Sequence, residues 1–221
     1  MVFDVEGVIA HPDSAAMDAG LRALMPPLTA QDLGAARLGP DLYALWELYS
    51  CGLMTPEAYW AAVVAAAGGP VTSGRVRGVM AVMRRTWWGH IDRQMLELVR
   101  ELRRRGAAVG LLSNSAPEHE ARIPALAAAV DVAHFSHRTG RRKPHAGTFE
   151  AIADDLGLSR EDCVFVDDKA RNAKAATEVG MTAVVFAGRG PLIAELARLG
   201  LPLELDAPAA GESASPGGDR R

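Results

Sequence analysis

Three short apolar runs in this chain each end in polar residues, and helical segments lie between the later runs. The polar ends are Asp4-Val5-Glu6-Gly7, Ser113-Asn114 and Asp167-Asp168. Parallel strands that are joined by helices place their carboxyl ends along one edge of a sheet, where open α/β sheets bind ligands. The pattern therefore predicts an α/β fold with a doubly wound, Rossmann-like parallel sheet, and a functional site where these ends meet.

The second half of the chain carries the alternation of helix and strand that this fold needs. We expect strands at 107–112, 130–136, 162–166 and 182–186, with a short one at 201–205. Helices are expected at 92–104, 146–156, 170–179 and 191–199, and another is expected to begin near Glu118 and Glu120.

The segment from Pro12 to about Arg85 reads as helices, and none of it has a convincing strand pattern. Asp13, Thr29 and Thr55 are expected to cap helix starts. The expected helices are Ala15–Leu24, Gln31–Leu38, Pro40–Leu48 and Pro56–Ala67. They predict a helical cap at 13–87, inserted into a core formed by 1–12 and 88–205, with a disordered tail rich in Pro, Gly and Ser at 206–221.

The net charge and the cysteine content of the chain indicate which partners and which cellular compartment to expect. The net charge is -3, which favours neither nucleic acid nor an anionic membrane, and no apolar stretch approaches membrane-spanning length. Cys51 and Cys163 are expected to be buried free thiols in a reducing compartment, which predicts a cytoplasmic protein. Because so few residues precede Asp4, we also expect the natural start codon to lie upstream.

Asp4 and Glu6 are the first candidates for chemistry. A turn at Gly7 would let both carboxylates and the Glu6 carbonyl face one small volume, which suits a hard cation or a nucleophile with an acid/base partner. On its own the segment is better explained as an ordinary surface turn. Asp167 and Asp168 favour a functional site over a surface turn, because together with Asp4 and the Glu6 carbonyl they supply the oxygen ligands that Mg²⁺ prefers.

The remaining polar residues match the demands of phosphoryl transfer. Ser113 and Asn114 can donate hydrogen bonds to phosphoryl oxygens, and Lys143 can supply a fixed positive charge where negative charge develops. Asp4 can then act as a carboxylate nucleophile that forms an aspartyl-phosphate. The sequence predicts a phosphoryl-transfer site with Mg²⁺ as cofactor.

Four segments, in this order, resemble the four motifs of the haloacid dehalogenase (HAD) superfamily of hydrolases. They are Asp4-Val5-Glu6-Gly7-Val8, Leu112-Ser113-Asn114, Lys143-Pro144 and Val164-Phe165-Val166-Asp167-Asp168. The likeness extends to about Leu205. It is greatest to the capped phosphatases of subfamily I, such as sugar-phosphate phosphatases and the N-terminal phosphatase domain of soluble epoxide hydrolases.

The resemblance implies a role for each matching residue. Asp4 would be the nucleophile, Ser113 and Lys143 would hold the phosphoryl group, and Asn114 would touch the phosphate or its leaving group. Asp168 would be the main side-chain ligand of Mg²⁺ in the last motif. Asp167 would contribute in the same loop, and Asn172 would brace Lys143 or the metal loop.

Glu6 departs from the family pattern, which has Asp as general acid and base at this position. The extra methylene moves the carboxyl, and a displacement on the order of 1 Å can cost about 10²-fold in rate. We expect a Mg²⁺-dependent phosphatase acting on a small phosphorylated metabolite, for example a sugar phosphate, as a monomer or homodimer. The alternatives are a protein of the same fold that binds a phosphorylated ligand or partner with weak or no turnover, and, less favoured, a 2-haloacid dehalogenase.

Overall fold

The computed structural model describes residues 1–25 and 39–201. Its strands are β1 (Val2–Phe3), β2 (Ala10–His11), β3 (His90–Ile91), β4 (Gly110–Ser113), β5 (Val132–Phe135), β6 (Val164–Asp167) and β7 (Thr182–Val185). Its helices are α1 (Ser14–Leu24), α2 (Gly39–Ser50), α3 (Pro56–Ala66), α4 (Ser73–Thr86), α5 (Arg93–Arg104), α6 (Ile123–Ala127), α7 (Ser136–Thr139), α8 (Ala146–Asp155), α9 (Ala170–Glu178) and α10 (Arg189–Arg198). A 3₁₀ turn at Pro117–His119 precedes α6.

Five of the strands form a parallel sheet in the order β5-β4-β1-β6-β7, so β1 lies at the centre. Successive side chains of a strand point to opposite faces, and β1 shows this in its two residues. Phe3 packs into the apolar cluster that contains residues of α5 and α10, whereas Val2 packs with residues of α8 and α9. Helices therefore cover both faces, and the predicted doubly wound α/β fold is confirmed.

Helices α1 to α4 lie between β2 and β3 and have an apolar cluster of their own, which includes Leu21, Trp60, Val79 and Met83. The strands β2 and β3 pair antiparallel, with Ala10 opposite Ile91. The chain thus leaves the core and returns to it through two adjacent connections. The boundaries predicted for a cap at 13–87 and a core at 1–12 and 88–205 stay a prediction.

Local capping explains where several helices begin. The carboxylate of Asp13 accepts a hydrogen bond from the Ala16 amide at 3.0 Å, and the Thr55 hydroxyl accepts one from the Ala58 amide at 3.3 Å. Pro56 follows as the first residue of α3, where its missing N–H costs nothing. The predicted cap at Thr29, the predicted helix at 31–38 and the predicted tail at 206–221 lie outside the described residues, as does the predicted strand at 201–205 apart from its first residue.

Some sequence predictions were wrong. The helix expected to begin near Glu118 and Glu120 starts only at Ile123, because Pro117–His119 form a 3₁₀ turn and the short α6 follows it. The strands β2 and β3 were missed because two residues carry no periodicity. Cys163 is buried as expected, but Cys51 is only half-buried, and both are free thiols. Within the described residues, no helix is both long and apolar enough to cross a bilayer.

Candidate active site

Three neighbouring strands bring the predicted site residues to one edge of the sheet. Asp4 directly follows β1, Ser113 ends β4, and Asp167 ends β6. The Asp4 amide donates a hydrogen bond to the carbonyl of Val166 at 2.8 Å, which holds Asp4 beside β6. Because the three strands are parallel and adjacent, their polar ends meet as the sequence predicts.

Lys143 reaches this edge from the loop before α8, and its side chain is 1% exposed. Its Nζ lies 2.8 Å from Asp4 Oδ1 and 2.7 Å from Asp167 Oδ2. The Asn114 side chain fixes the Lys143 backbone, because Nδ2 donates to the Lys143 carbonyl and Oδ1 accepts from the Lys143 amide, both at 2.8 Å. The amide of Asn114 is thus used to position Lys143, rather than facing a phosphate or a leaving group directly.

Asp167 is fully buried and held on both oxygens. Asn172 Nδ2 donates to Oδ1 at 3.0 Å and to Oδ2 at 2.9 Å, and the Lys169 amide donates to Oδ1 at 2.8 Å. Burial acts to raise the pKa of Asp167, but Lys143 and these donors outweigh it and hold the pKa below its ordinary value. Asn172 therefore braces Asp167, which in turn holds the Lys143 ammonium.

Asp4 has a different electrostatic environment from Asp167. Burial raises the pKa of Asp4 to about 7, against the lowering effect of Lys143. Its Oδ1 accepts a hydrogen bond from the Val5 amide at 2.6 Å and pairs with Lys143. These contacts orient the carboxylate through Oδ1.

Asp168 completes an acidic cluster with Asp4 and Asp167. One oxygen of each carboxylate lies within 4.8 Å of the other two. Mg²⁺ binds oxygens at about 2.0–2.1 Å, so ligands on opposite sides of the ion are about 4 Å apart, and small side-chain movements would close this cluster on it. The donor set fits Mg²⁺. Exposed Asp168 is the more available ligand of the last motif, since Asp167 is already held by Lys143 and Asn172.

Gly7 makes room for Asp168. Its φ is +85°, and a Cβ at this position would lie 2.6 Å from Asp168 Oδ2. Gly7→Ala is expected to destabilise the fold by about 1–2 kcal/mol through its positive φ, and to displace the Asp168 carboxylate. The rise in melting temperature on adding Mg²⁺ should therefore shrink or disappear.

Gly157→Ala is the matched control, because Gly157 also has a positive φ of +67° but open space around its missing Cβ. It should show a similar backbone cost with a normal response to Mg²⁺. A full Mg²⁺ response in Gly7→Ala would contradict the placement of Asp168 at the metal.

Glu6 lies in a tight turn in which the Gly7 amide donates to the carbonyl of Ala10 at 2.9 Å. Burial raises the pKa of Glu6, and Lys169 and the Trp88 indole oppose this rise. The indole N–H of Trp88 is buried and has no hydrogen-bond partner among the described residues. The pKa of Glu6 also responds to Asp168 and Lys143, so Glu6 lies in the same electrostatic field as the acidic cluster.

Lys169 is a second cation at the site that the sequence analysis did not single out. Burial acts to lower its pKa, but the carboxylates of Glu6, Asp4, Asp168 and Asp167 raise it above its ordinary value. Its position directly after Asp168 was the available signal. The residue shares the task of balancing the carboxylates with Lys143.

Ser113 is 2% exposed, and its hydroxyl has no hydrogen-bond partner among the residues that the structure describes. A buried hydroxyl without a partner is costly, so such groups commonly serve a ligand. Ser113 ends β4, next to β1, which Asp4 directly follows. Its hydroxyl is thus available as a donor at the edge of the sheet that also carries the acidic cluster.

Both loops that carry site residues also contact helices α2 and α3. Glu118, in the loop after Asn114, accepts hydrogen bonds from Tyr49 Oη at 2.5 Å and from Trp60 Nε1 at 2.8 Å. Arg142, next to Lys143, donates from Nη1 to Glu47 Oε1 at 2.5 Å. The sequence analysis missed these links, because they join residues 58 to 95 positions apart that share no local pattern.

The fold and the order of these motifs define a hydrolase class, and comparison with known families agrees. A family model described as haloacid dehalogenase-like hydrolase matches residues 1–180. The chain belongs to this family.

The relatives are consistent with that assignment. The phosphatase MT3486 of Mycobacterium tuberculosis is 36% identical over 112 residues, which cover 47% of this chain and 52% of the relative. Flavin mononucleotide hydrolase 1 of Arabidopsis thaliana is 36% identical over 62 residues, which cover 28% of this chain and 25% of the relative. The chain therefore spans about half or less of the length of these curated relatives.

Solved structures of the family share the fold. The HAD family enzyme BT-2542 of Bacteroides thetaiotaomicron superposes with a TM-score of 0.68 at 21% identity, over 85% of this chain and 93% of that chain. The same enzyme has been solved in complex with magnesium and inorganic phosphate. At this identity the likeness concerns the fold alone.

Proposed function

We propose that this protein is a Mg²⁺-dependent phosphatase that hydrolyses a small phosphate monoester through an aspartyl-phosphate on Asp4. The observation that carries the proposal is the meeting of Asp4, Asp167 and Asp168 with the buried ammonium of Lys143 at one edge of the sheet. The names of the two curated relatives support phosphate-ester hydrolysis, since each is described as a phosphatase or a mononucleotide hydrolase.

In this proposal, Asp4, Asp168 and the backbone carbonyl of Glu6 would hold Mg²⁺, and Asp167 would lie at the rim of the same site. The bound ion would supply positive charge that lets a phosphate dianion approach the carboxylates. Lys143, held by Asp4 and Asp167, would stabilise charge on the transferring phosphoryl oxygens. The Ser113 hydroxyl would donate a hydrogen bond to the same group.

The chemical steps would use Asp4 and Glu6. Asp4 attacks phosphorus, and the bond between phosphorus and the leaving oxygen breaks. Glu6 donates a proton to that oxygen, and its carboxylate then takes a proton from the water that hydrolyses the aspartyl-phosphate. Water attack releases inorganic phosphate and restores the Asp4 carboxylate. Burial raises the pKa of Glu6, which favours the protonated form that the first step needs.

We further propose that α1 to α4 act as a cap that closes over the site and selects the leaving group, because the core residues would contact only the phosphoryl end of the substrate. The links of Glu118 and Arg142 to α2 and α3 support a defined closed position. The class of substrate would be a small phosphorylated metabolite, a sugar phosphate being one candidate.

The test is an assay of inorganic phosphate release from a panel of phosphate monoesters that includes p-nitrophenyl phosphate, sugar phosphates and flavin mononucleotide. We expect turnover with Mg²⁺, a loss of at least about 100-fold in excess EDTA, and recovery when Mg²⁺ is restored. A 2-haloacid added with EDTA should release no halide. Halide release without metal would favour a dehalogenase, and phosphate binding without turnover would favour a binding protein, so either result would overturn the proposal.

A further inference from the structure

The segment that leaves β4 is anchored to α7 at Ser115, two residues after Ser113. The Ser115 amide donates a hydrogen bond to Ser136 Oγ at 2.9 Å, and Ser136 Oγ donates in turn to the Ser115 carbonyl at 3.3 Å. The Ser115 hydroxyl lies 2.7 Å from His137 Nδ1. Ser115 is fully buried and the His137 side chain is 4% exposed, so water cannot readily replace this contact.

His137 has a different partner on each ring nitrogen, and these partners set its tautomer. Its Nε2 lies 2.7 Å from Glu120 Oε1. The Arg138 guanidinium is the main cause that lowers the pKa of Glu120 to about 2, so this carboxylate is charged and can only accept. Nε2 therefore carries the hydrogen. In the neutral ring, Nδ1 is then the acceptor for the Ser115 hydroxyl.

The position of His137 is itself fixed by its surroundings. Arg138 Nε donates to Glu120 Oε1 at 2.8 Å, which holds the carboxylate that faces His137. Gly52, in the connection between α2 and α3, lies against the His137 backbone, where a Cβ would be only 2.4 Å from the carbonyl oxygen. His137 is thus a firm support for Ser115.

This support lies next to residues of the candidate active site. Ser113 ends β4 with a buried hydroxyl that has no partner within the described part of the chain. The Asn114 side chain is occupied by the Lys143 backbone. The segment 113–115 is therefore held by the sheet at one end and by α7 at the other. The direction of the Ser113 hydroxyl depends on both.

We propose that His137 is a positioning residue, which holds the Ser115 hydroxyl through Nδ1 and thereby directs the Ser113 hydroxyl toward a bound phosphoryl group. The proposal deepens the function given above and rests on it for its catalytic meaning. It adds α7, which carries none of the motif residues, to the parts of the fold that shape the phosphate site.

The contact can be tested by NMR of the histidine ring nitrogens at pH 8.5. The chain has six histidines, and the signals of His137 are identified by their absence in His137→Gln. Nε2 should resonate as a protonated nitrogen and Nδ1 as an unprotonated one that accepts a hydrogen bond. In Ser115→Ala the Nδ1 signal should move downfield, because the donor is lost. A protonated Nδ1, or a signal that ignores Ser115→Ala, would overturn the proposal.

Phosphate affinity tests the role of the contact, because it needs no turnover. Titration calorimetry with inorganic phosphate and Mg²⁺ should show binding about tenfold weaker in His137→Gln, whose amide reaches toward Glu120 but supplies no acceptor at the Nδ1 position. His137→Asn places its Oδ1 close to that position, so its affinity should stay within about threefold of wild type. An Asn variant as weak as the Gln variant would contradict the proposal.

The target of the contact can be identified in a Ser113→Ala background. There, adding His137→Gln should weaken phosphate binding by less than about twofold, because the hydroxyl that His137 directs is already absent. Equal losses in both backgrounds would show that His137 acts on the fold in general, and would overturn the proposal. Ser115→Ala removes the same hydrogen bond from the other side, and replaces His137→Gln if that variant does not fold by circular dichroism.

His134→Gln is the matched control. His134 belongs to β5, and its Nε2 pairs with Asp155 Oδ2 at 2.7 Å, the same distance as the pair of His137 with Glu120. Losing this pair should leave phosphate affinity within about twofold of wild type. A tenfold loss in the control would show that the assay reports the stability of this region, and would contradict the role given to His137.

The two proposals fail separately in these experiments. A wild-type protein that binds phosphate but hydrolyses no ester would end the proposed function, and the affinities of the His137 variants would still decide the present proposal. A wild-type protein that binds no phosphate with Mg²⁺ would overturn both.

Discussion

Asp4→Asn is expected to abolish hydrolysis of phosphate esters, with kcat falling by on the order of 10⁴-fold or more. The amide keeps the shape of the side chain but cannot form the aspartyl-phosphate. The fold should persist, because burial already disfavours the charged carboxylate and raises the pKa of Asp4 to about 7, so that a neutral side chain is tolerated there. Initial rates with Mg²⁺, together with circular dichroism, give the measurement.

The nucleophile can also be identified directly. Rapid acid quenching of the wild-type enzyme during turnover should trap a phosphoryl group on the peptide that contains Asp4, and Asp4→Asn should trap none. Asp154→Asn is a suitable control, because the Asp154 side chain is 68% exposed and lies outside the site. A rate above one tenth of wild type in Asp4→Asn would contradict the role of Asp4.

Lys143→Met should give the second large effect, and it should appear in stability as well as in activity. Removing the ammonium leaves Asp4 and Asp167 facing each other in a buried site. Breaking a buried ion pair by removing one partner costs about 3–5 kcal/mol, and we expect a loss of this size in urea denaturation with EDTA present. Mg²⁺ should reduce the loss, because the cation replaces part of the missing charge.

Activity should fall by about 10²–10³-fold in Lys143→Met, the usual cost of removing a group that stabilises transition-state charge. Lys174→Met serves as control, since the Lys174 side chain is 78% exposed and its pair with Glu178 spans 3.7 Å. That change should alter stability by less than about 0.5 kcal/mol. Wild-type stability of Lys143→Met in EDTA would show that Lys143 does not compensate these two carboxylates.

The sheet could be predicted from the sequence because its strands are apolar and their polar ends are local features. Val2 and Phe3 alternate between the two faces, and the polar residues after β1, β4 and β6 follow directly in the chain. Parallel order then brings those ends together without further information. The Gly7 turn was also predictable, since glycine adopts a positive φ more readily than any other residue.

The supporting contacts of the site could not be predicted, because they join residues that are distant in the chain. The side chain of Asn114 is chemically suited to bind a phosphate. Only the fold shows that its amide is hydrogen-bonded to the Lys143 backbone instead. Glu118 resembles an ordinary helix start, and only the fold shows its carboxylate bonded to Tyr49 and Trp60. Such pairings depend on tertiary packing, which periodicity does not encode.

The contacts that Glu118 and Arg142 make with α2 and α3 also bear on attempts to re-engineer this scaffold. Grafting the inserted segment of another hydrolase would remove Glu47, Tyr49 and Trp60 together. The Glu118 carboxylate and the Arg142 guanidinium would then lose these partners where the inserted helices meet the core. Leaving buried charged groups without partners is destabilising. A productive chimera would therefore have to import matching polar groups with the donor segment, or replace both core residues by apolar ones in the recipient.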